Sequence, residues 1–421
     1  MPHTTATKNT ALSAQRNALL ASFLGWTFDA FDFFIVTLLL DDIARSLGRS
    51  RPDIAFAATV TLWSRPIGAF IFGIMADRFG RRIPLMINIV FYAAASALSG
   101  LAPTYWTFIA FRALFGIGMG GQWGVGASLV LESVSPRWRG VLSGFLHQGY
   151  SLGNLLAALA MLAVYPAFAA SHPENAWRFM FFLGGLPAIL SLFVFAKVEE
   201  SEAWKEHRSE NFKAYAKSIT TVLPRFLYLV LLLTMMGFIS HGTQDLYPTF
   251  LRQQRHFTST GAAETTMLSM VGAIIGGIVV GYCSDRFGRR RAMIGAALLG
   301  LVAVPLWINA PTSALIVAGA VLMQFCVQGA WGIIPAHMNE LSPAQTRGFL
   351  PGFAYQVGMC LAGAVTYLES IAGEHFSYAT AMGVVACVAL VAGIIVIAAG
   401  PEAHGIDFRK SPSPEPPLAS E

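Results

Sequence analysis

Two carboxylates stand three residues apart in the stretch GWTFDAFDFF, Asp29 and Asp32. On a helix they are about 60° apart and share a face. A lone arginine, Arg65, interrupts LWSRPIGAFIFG, and another, Arg112, opens RALFGIGMGG. Further on, FISHGTQDLYPTF sets His241 and Asp245 four residues apart, about 40° around a helix. Ser240 and Gln244 lie beside that face, and Thr249 extends it by one more turn. Each type has its chemistry. Crowded, desolvated carboxyls take up and release a proton. A guanidinium presents a planar fork matched to a carboxylate. An imidazole titrates near neutral pH, and a neighbouring aspartate selects its tautomer. The chain shows no metal cluster, phosphate loop or serine-nucleophile elbow, so an enzyme is not expected and no cofactor or metal is called for.

These residues interrupt apolar runs. Of 421 residues, 55% are hydrophobic and only 12% charged, against about 25% charged in a soluble domain. Twelve runs are long enough to span a bilayer, centred near Phe28, Leu62, Ala93, Gly116, Leu152, Gly185, Gly237, Ala273, Leu301, Met323, Leu361 and Leu390. Lipid cannot satisfy open backbone groups, so all twelve are expected to be helices. The net charge of +5 does not point to nucleic acid, because the basic residues cluster between runs. The four cysteines lack CxxC spacing and read as free thiols in apolar surroundings. With the N-terminus inside, 20 of the 28 Lys and Arg residues are cytoplasmic, among them Arg208, Arg409 and Lys410, and six are on the far side. The positive-inside rule then puts both termini in the cytoplasm, in a plasma or inner membrane.

The chain also repeats itself. GIMADRFGRR at Gly73 returns as GYCSDRFGRR at Gly281, an offset of 208 residues. Trp123 and Trp331 keep the same offset, as do Glu132 and Glu340, and Arg139 and Arg347. The expected division is a six-helix half over 1–196, a cytoplasmic linker over 197–224, a second six-helix half over 225–400 and a disordered cytoplasmic tail over 401–421. Asp77 and Asp285 suit helix capping, and Arg81 and Arg289 suit helix C-termini or acidic lipid. Duplication makes Asp77, Arg81, Glu132, Asp285, Arg289 and Glu340 gating or assembly elements. The polar residues of the first and seventh runs are not duplicated, which marks them as site candidates.

With the duplicated G-x-x-x-D-R-x-G-R-R signature in view, the chain resembles the major facilitator superfamily over nearly its whole length. That resemblance implies an all-α membrane protein of 12 transmembrane helices in two six-helix halves, with a midplane site and alternating access. It also makes Arg112 a helix-tying or proton-coupling residue of the fourth run. SHGTQDLYPT is similar to the seventh-span signature of lactate/pyruvate permeases of the sialate:proton symporter family. Ser240, His241, Thr243, Gln244, Asp245 and Thr249 match that signature, and Gly237 stands where it has Asn. GWTFDAFDFF and LSGFLHQGYSLGNLL resemble the same family. By this resemblance Arg65, His241, Asp245 and Gln356 serve recognition and translocation.

The expected activity is proton-coupled symport of a small monocarboxylate such as lactate or pyruvate. Arg65 holds the carboxylate, or else pairs with a first-run aspartate. Asp29 or Asp32, with His241 and Asp245, carry the proton. Gln244, Tyr355 and Gln356 are further hydrogen-bonding candidates for the ligand. His147, Gln148 and His337 read as helix-packing or interface residues, and Pro248 as a bend or end of the seventh helix. The alternatives are an aromatic-acid or sialate symporter, or a non-transporting sensor on the same scaffold. Expected partners are the carboxylate, protons and membrane lipids, with the oligomeric state left open.

Overall fold

Helices pair backbone donors and acceptors locally, which is what an apolar chain in lipid requires. A computed structural model describes residues 3–207, 212–363 and 376–408, and its regular elements are all helices. In the first part of the chain they are α1 (His3–Leu38), α2 (Leu40–Leu47), α3 (Arg51–Phe79), α4 (Arg82–Gly100), α5 (Tyr105–Ser133), α6 (Arg139–His147), α7 (Gly149–Ala163), α8 (Tyr165–Ser171), α9 (Ala176–Leu183) and α10 (Ala188–Lys197). The linker carries α11 (Glu202–His207) and α12 (Phe212–Thr221). The rest are α13 (Leu223–Gln244), α14 (Tyr247–Gln253), α15 (Ser259–Phe287), α16 (Arg289–Asn309), α17 (Ser313–Leu341), α18 (Leu350–Ala362) and α19 (Tyr378–Ala399).

Eleven helical stretches among the described residues are long and apolar enough to cross a membrane. The run centred near Leu361 begins as α18 and continues into residues 364–375, which lie outside the described residues. So do Arg208, Arg409, Lys410, residues 208–211 of the linker and 409–421 of the tail. Large apolar side chains such as Ile189, Leu192 and Phe195 remain exposed, as on a surface solvated by lipid rather than water. The chain is an integral membrane protein.

The 208-residue repeat extends into local structure. α3 and α15 are both 29 residues long, and each starts after a hydroxyl cap, Ser50 and Thr258. α5 and α17 are also both 29 residues, capped by Thr104 and Thr312. In each case the cap oxygen takes a backbone N–H of the first turn, a group the helix itself leaves unpaired. Gly80 and Gly288 both adopt φ of 95°, a conformation that disfavours any side chain.

The chain forms two compact units. One holds residues 1–134, 149–219 and 343–356; the other holds 135–148, 220–342 and 357–421. The segments 135–148 and 343–356 are themselves 208 residues apart, so each repeat lends the same piece to the other's unit. In the first unit, a Cβ on Gly120 of α5 would lie 1.9 Å from the Arg65 carbonyl oxygen of α3. In the second, a Cβ on Gly276 of α15 would lie 2.1 Å from the Phe325 carbonyl oxygen of α17. Close backbone approach through glycine is the packing mode that works where lipid is as apolar as leucine.

Candidate functional site

In the first unit, Asp29 and Asp32 are both fully buried on α1, yet their surroundings differ. Asp32 Oδ1 accepts from Arg112 Nη1 at 2.6 Å, and Ser96 Oγ donates to its other oxygen. Arg112 in turn donates from Nε and Nη2 to Ser99 Oγ at 3.0 and 2.8 Å. Its guanidinium lies over the Phe115 and Phe181 rings, 4.4 and 4.9 Å from their centroids. This is a desolvated ion pair to which Ser96 and Ser99 of α4 add further hydrogen bonds.

Asp29 is left otherwise. Neither carboxylate oxygen has a hydrogen-bond partner among the described residues, although the charge of Arg65 acts on it. Arg65 is 7% exposed, and its Nε and Nη2 also have no partner among the described residues. The guanidinium sits over the Tyr355 ring, 5.8 Å from its centroid, and Arg65 is a hydrogen-bonding partner of that phenol. Tyr355 stacks on Trp123 at 4.4 Å with planes 12° apart. Gln356 Nε2 donates to the Gly120 carbonyl at 3.4 Å, so this amide is engaged with α5. The buried Gln122 has no partner for either amide atom among the described residues, and a Cβ on Gly25, one turn before Asp29, would meet it at 2.1 Å.

In the second unit, His241 Nδ1 lies 3.1 Å from Asp245 Oδ2, both side chains 34% exposed. Gln244 Nε2 donates to Gln324 Oε1 at 2.8 Å and to Ser240 Oγ at 3.2 Å. Gln328 Nε2 donates to Ser240 Oγ at 3.4 Å, and its Oε1 lies 3.2 Å from His147 Nε2. His147 stacks on Trp331 at 5.5 Å, planes 6° apart. His147, read from the sequence as a helix-packing residue, thus joins a chain of neutral amides and hydroxyls. The polar stripe does not run on to Thr249 as one helix. α13 ends at Gln244 and α14 starts at Tyr247, because Pro248 offers no N–H and restricts the residue before it. Gly237 meets α18, where a Cβ would lie 2.3 Å from Ala362 Cβ, which leaves no room for the asparagine of the permease signature. His337 is buried in α17 with neither ring nitrogen hydrogen-bonded among the described residues.

The duplicated charges form one cluster in each unit. Arg81 pairs with Asp77 at 2.9 Å and Glu132 at 2.8 Å, and Arg347 approaches Glu132 at 3.6 Å. Arg289 pairs with Asp285 at 2.7 Å and Glu340 at 2.9 Å, and Arg139 with Glu340 at 3.0 Å. Asp77 accepts from the Gly348 and Phe349 N–H groups at 2.6 and 3.1 Å. Asp285 accepts from those of Gly140 and Val141 at 2.8 and 3.1 Å. Burial opposes the charge of Arg81, but Glu132 and Asp77 outweigh it and hold its pKa above the ordinary arginine value. Tyr215 of the linker donates to Asp77 at 3.1 Å, and burial, then that carboxylate, pushes its phenol up.

Ser96, Ser99, Gln122, Trp123, Gln324 and Gln328 were not among the sequence-derived site residues. Gln324 and Gln328 are four residues apart in one apolar run, a spacing readable beforehand as a polar face. Ser96 and Ser99 carry no such signal, since buried serines usually bond their own helix.

The family model described as Major Facilitator Superfamily matches residues 21–278 and 246–420. A carboxylic acid transporter protein homolog of Saccharomyces cerevisiae is 28% identical over 385 residues, 86% of this chain and 62% of the yeast protein, so the chain spans under two thirds of that relative. A probable 4-methylmuconolactone transporter of Cupriavidus pinatubonensis is 28% identical over 416 residues, 96% of each chain. Among solved structures, the proton:xylose symporter XylE shares the fold with a TM-score of 0.74, at 19% identity, over 94% of this chain and 98% of that one.

Proposed function

The chain belongs to the Major Facilitator Superfamily, a family of transporters rather than enzymes, and on that premise we propose that it is a proton-coupled symporter of small monocarboxylates such as lactate or pyruvate. The observation that carries the reading is the buried pair of unfilled groups in the first unit. Arg65 keeps two N–H donors without a partner, and Asp29 keeps two oxygens without one, among the described residues. A buried charge lacking its counterpart is costly, so each site favours the species that completes it. For Arg65 that species is a carboxylate, which accepts two parallel N–H bonds from one guanidinium. For Asp29 it is a proton. A protonated Asp29 no longer competes for Arg65, so proton and anion binding favour each other.

Asp32 is already paired with Arg112, which favours Asp29 as the proton carrier in this reading. His241 and Asp245, partly exposed in the second unit, serve as the proton-sensing pair in the same reading. Transport then proceeds by alternating access of the two six-helix halves, 1–196 and 225–400, about the 197–224 linker. The count of 20 inside against 6 outside basic residues supports cytoplasmic termini in a plasma or inner membrane. The yeast relative, named for carboxylic acid transport, supports the substrate class.

The test is uptake of radiolabelled short-chain carboxylates into proteoliposomes at two pH values. Lactate accumulation driven by an inward proton gradient is expected, and uptake indifferent to the gradient removes the coupling. A second reading, a ring-bearing acid as substrate, is favoured by the relative named for 4-methylmuconolactone. Preference for cyclic or aromatic acids in the same panel selects it.

A further inference from the structure

We propose that Tyr355 is a positioning residue for Arg65. It is one ring of a two-ring pillar that contacts the guanidinium through its face and its phenol, and leaves Nε and Nη2 without partners among the described residues for a carboxylate. The inference rests on the reading that Arg65 receives the anion. A carboxylate partner would take the fork itself, whereas an aromatic face attracts the cation through its quadrupole and leaves in-plane donors available. The geometry matches that division. Arg65 lies 5.8 Å from the Tyr355 centroid, while Nε and Nη2 stay without partners among the described residues. The ring itself is held from its stacked neighbour, Trp123, at 4.4 Å.

The pillar is anchored to α5, which packs closely on the backbone of α3 that carries Arg65. Gln356, next to Tyr355, donates to the Gly120 carbonyl. Gly120 is also where α5 meets the Arg65 carbonyl so closely that a Cβ would lie 1.9 Å away. The second unit supplies an internal control. At the same 208-residue offset the two-ring arrangement recurs as His147 on Trp331, but Ala273 stands where Arg65 would be. The stacked rings therefore belong to the repeated scaffold, and the cation is the first unit's addition to it. Tyr355 comes from the segment 343–356, which follows the tenth span in sequence yet packs in the first unit.

Two readouts test this in the full-length protein. In proteoliposomes, Tyr355→Leu is expected to raise the KM for lactate about tenfold with kcat within about twofold, as for loss of a desolvated cation–π contact. Tyr355→Phe, which keeps the ring and its Trp123 stack, is expected to stay within about threefold of wild type. An unchanged KM in Tyr355→Leu, or equal losses in the Leu and Phe variants, overturns the pillar. In detergent, the melting temperatures of Arg65→Ala, Tyr355→Leu and the double variant form a cycle. Non-additivity of about 2 °C or more supports the contact, and additive losses overturn it. If the wild type accumulates no carboxylate, the transport reading fails, while the cycle still decides whether Tyr355 holds Arg65.

Discussion

Tyr355 and His147 stand 208 residues apart, and each stacks on the tryptophan of its own compact unit, Trp123 at 4.4 Å and Trp331 at 5.5 Å. The same scaffold position thus presents a phenol beside an arginine in one unit and an imidazole beside a glutamine in the other. Two copies of one architecture carry different chemistry at the same position.

Arg65→Lys should impair uptake even though charge is retained. An ammonium is a point donor and cannot make two parallel bonds to one carboxylate. A tenfold to hundredfold rise in KM is expected, about 1.4–3 kcal/mol. Initial-rate uptake in proteoliposomes measures it, and an unchanged KM removes Arg65 from the site.

Asp29→Asn and Asp32→Asn should fail in different ways. The first removes the proposed proton carrier, so gradient-driven accumulation is lost while exchange of labelled for unlabelled substrate persists. The second leaves Arg112 buried without its counter-charge, which costs about 3–5 kcal/mol and shows as a lowered melting temperature. Identical phenotypes for the two variants would contradict the separate roles.

His241→Gln and Asp245→Asn should each change the pH dependence of uptake, because each removes one member of the pair. The ion-pair component of their 3.1 Å contact exists only while the imidazole is protonated. A pH–rate profile in which both variants track the wild type would take the pair out of the coupling.

Asp285→Asn should weaken the contact with the Gly140 and Val141 N–H groups, since charge-assisted bonds are about twice as strong as neutral ones. Asp77→Asn should do the same at Gly348 and Phe349. Both are expected to slow transport while substrate binding, followed by thermal shift, is retained. Loss of binding with transport would assign these aspartates to the substrate site instead.

Gly237→Asn, which installs the asparagine of the permease signature, should destabilise the protein by about 1–3 kcal/mol through overpacking against Ala362. Adding Ala362→Gly should recover part of the loss. Melting curves decide, and a stable Gly237→Asn single variant would show that α13 and α18 have slack there.

Much of this was legible in the chain itself. Apolar run length forces helices in lipid, and the offset seen in DRFGRR also relates the hydroxyl caps Ser50 and Thr258, because either hydroxyl can accept a first-turn N–H. The ionisable residues of the first, second, fourth and seventh spans stood out because charge is costly at that depth. Sequence could not separate Asp29 from Asp32. They share one helix face, and only the packing of α4 and α5 puts Arg112 and Ser96 on Asp32, with Ser99 holding Arg112, and leaves Asp29 unpartnered among the described residues. Nor could it show that segments 135–148 and 343–356 exchange between units, or that Tyr355 thereby reaches Arg65. Periodicity reports which face of a helix is polar. Which side chain meets it from a distant part of the chain depends on close approaches such as Gly120 against Arg65, and these exist only once the helices are packed.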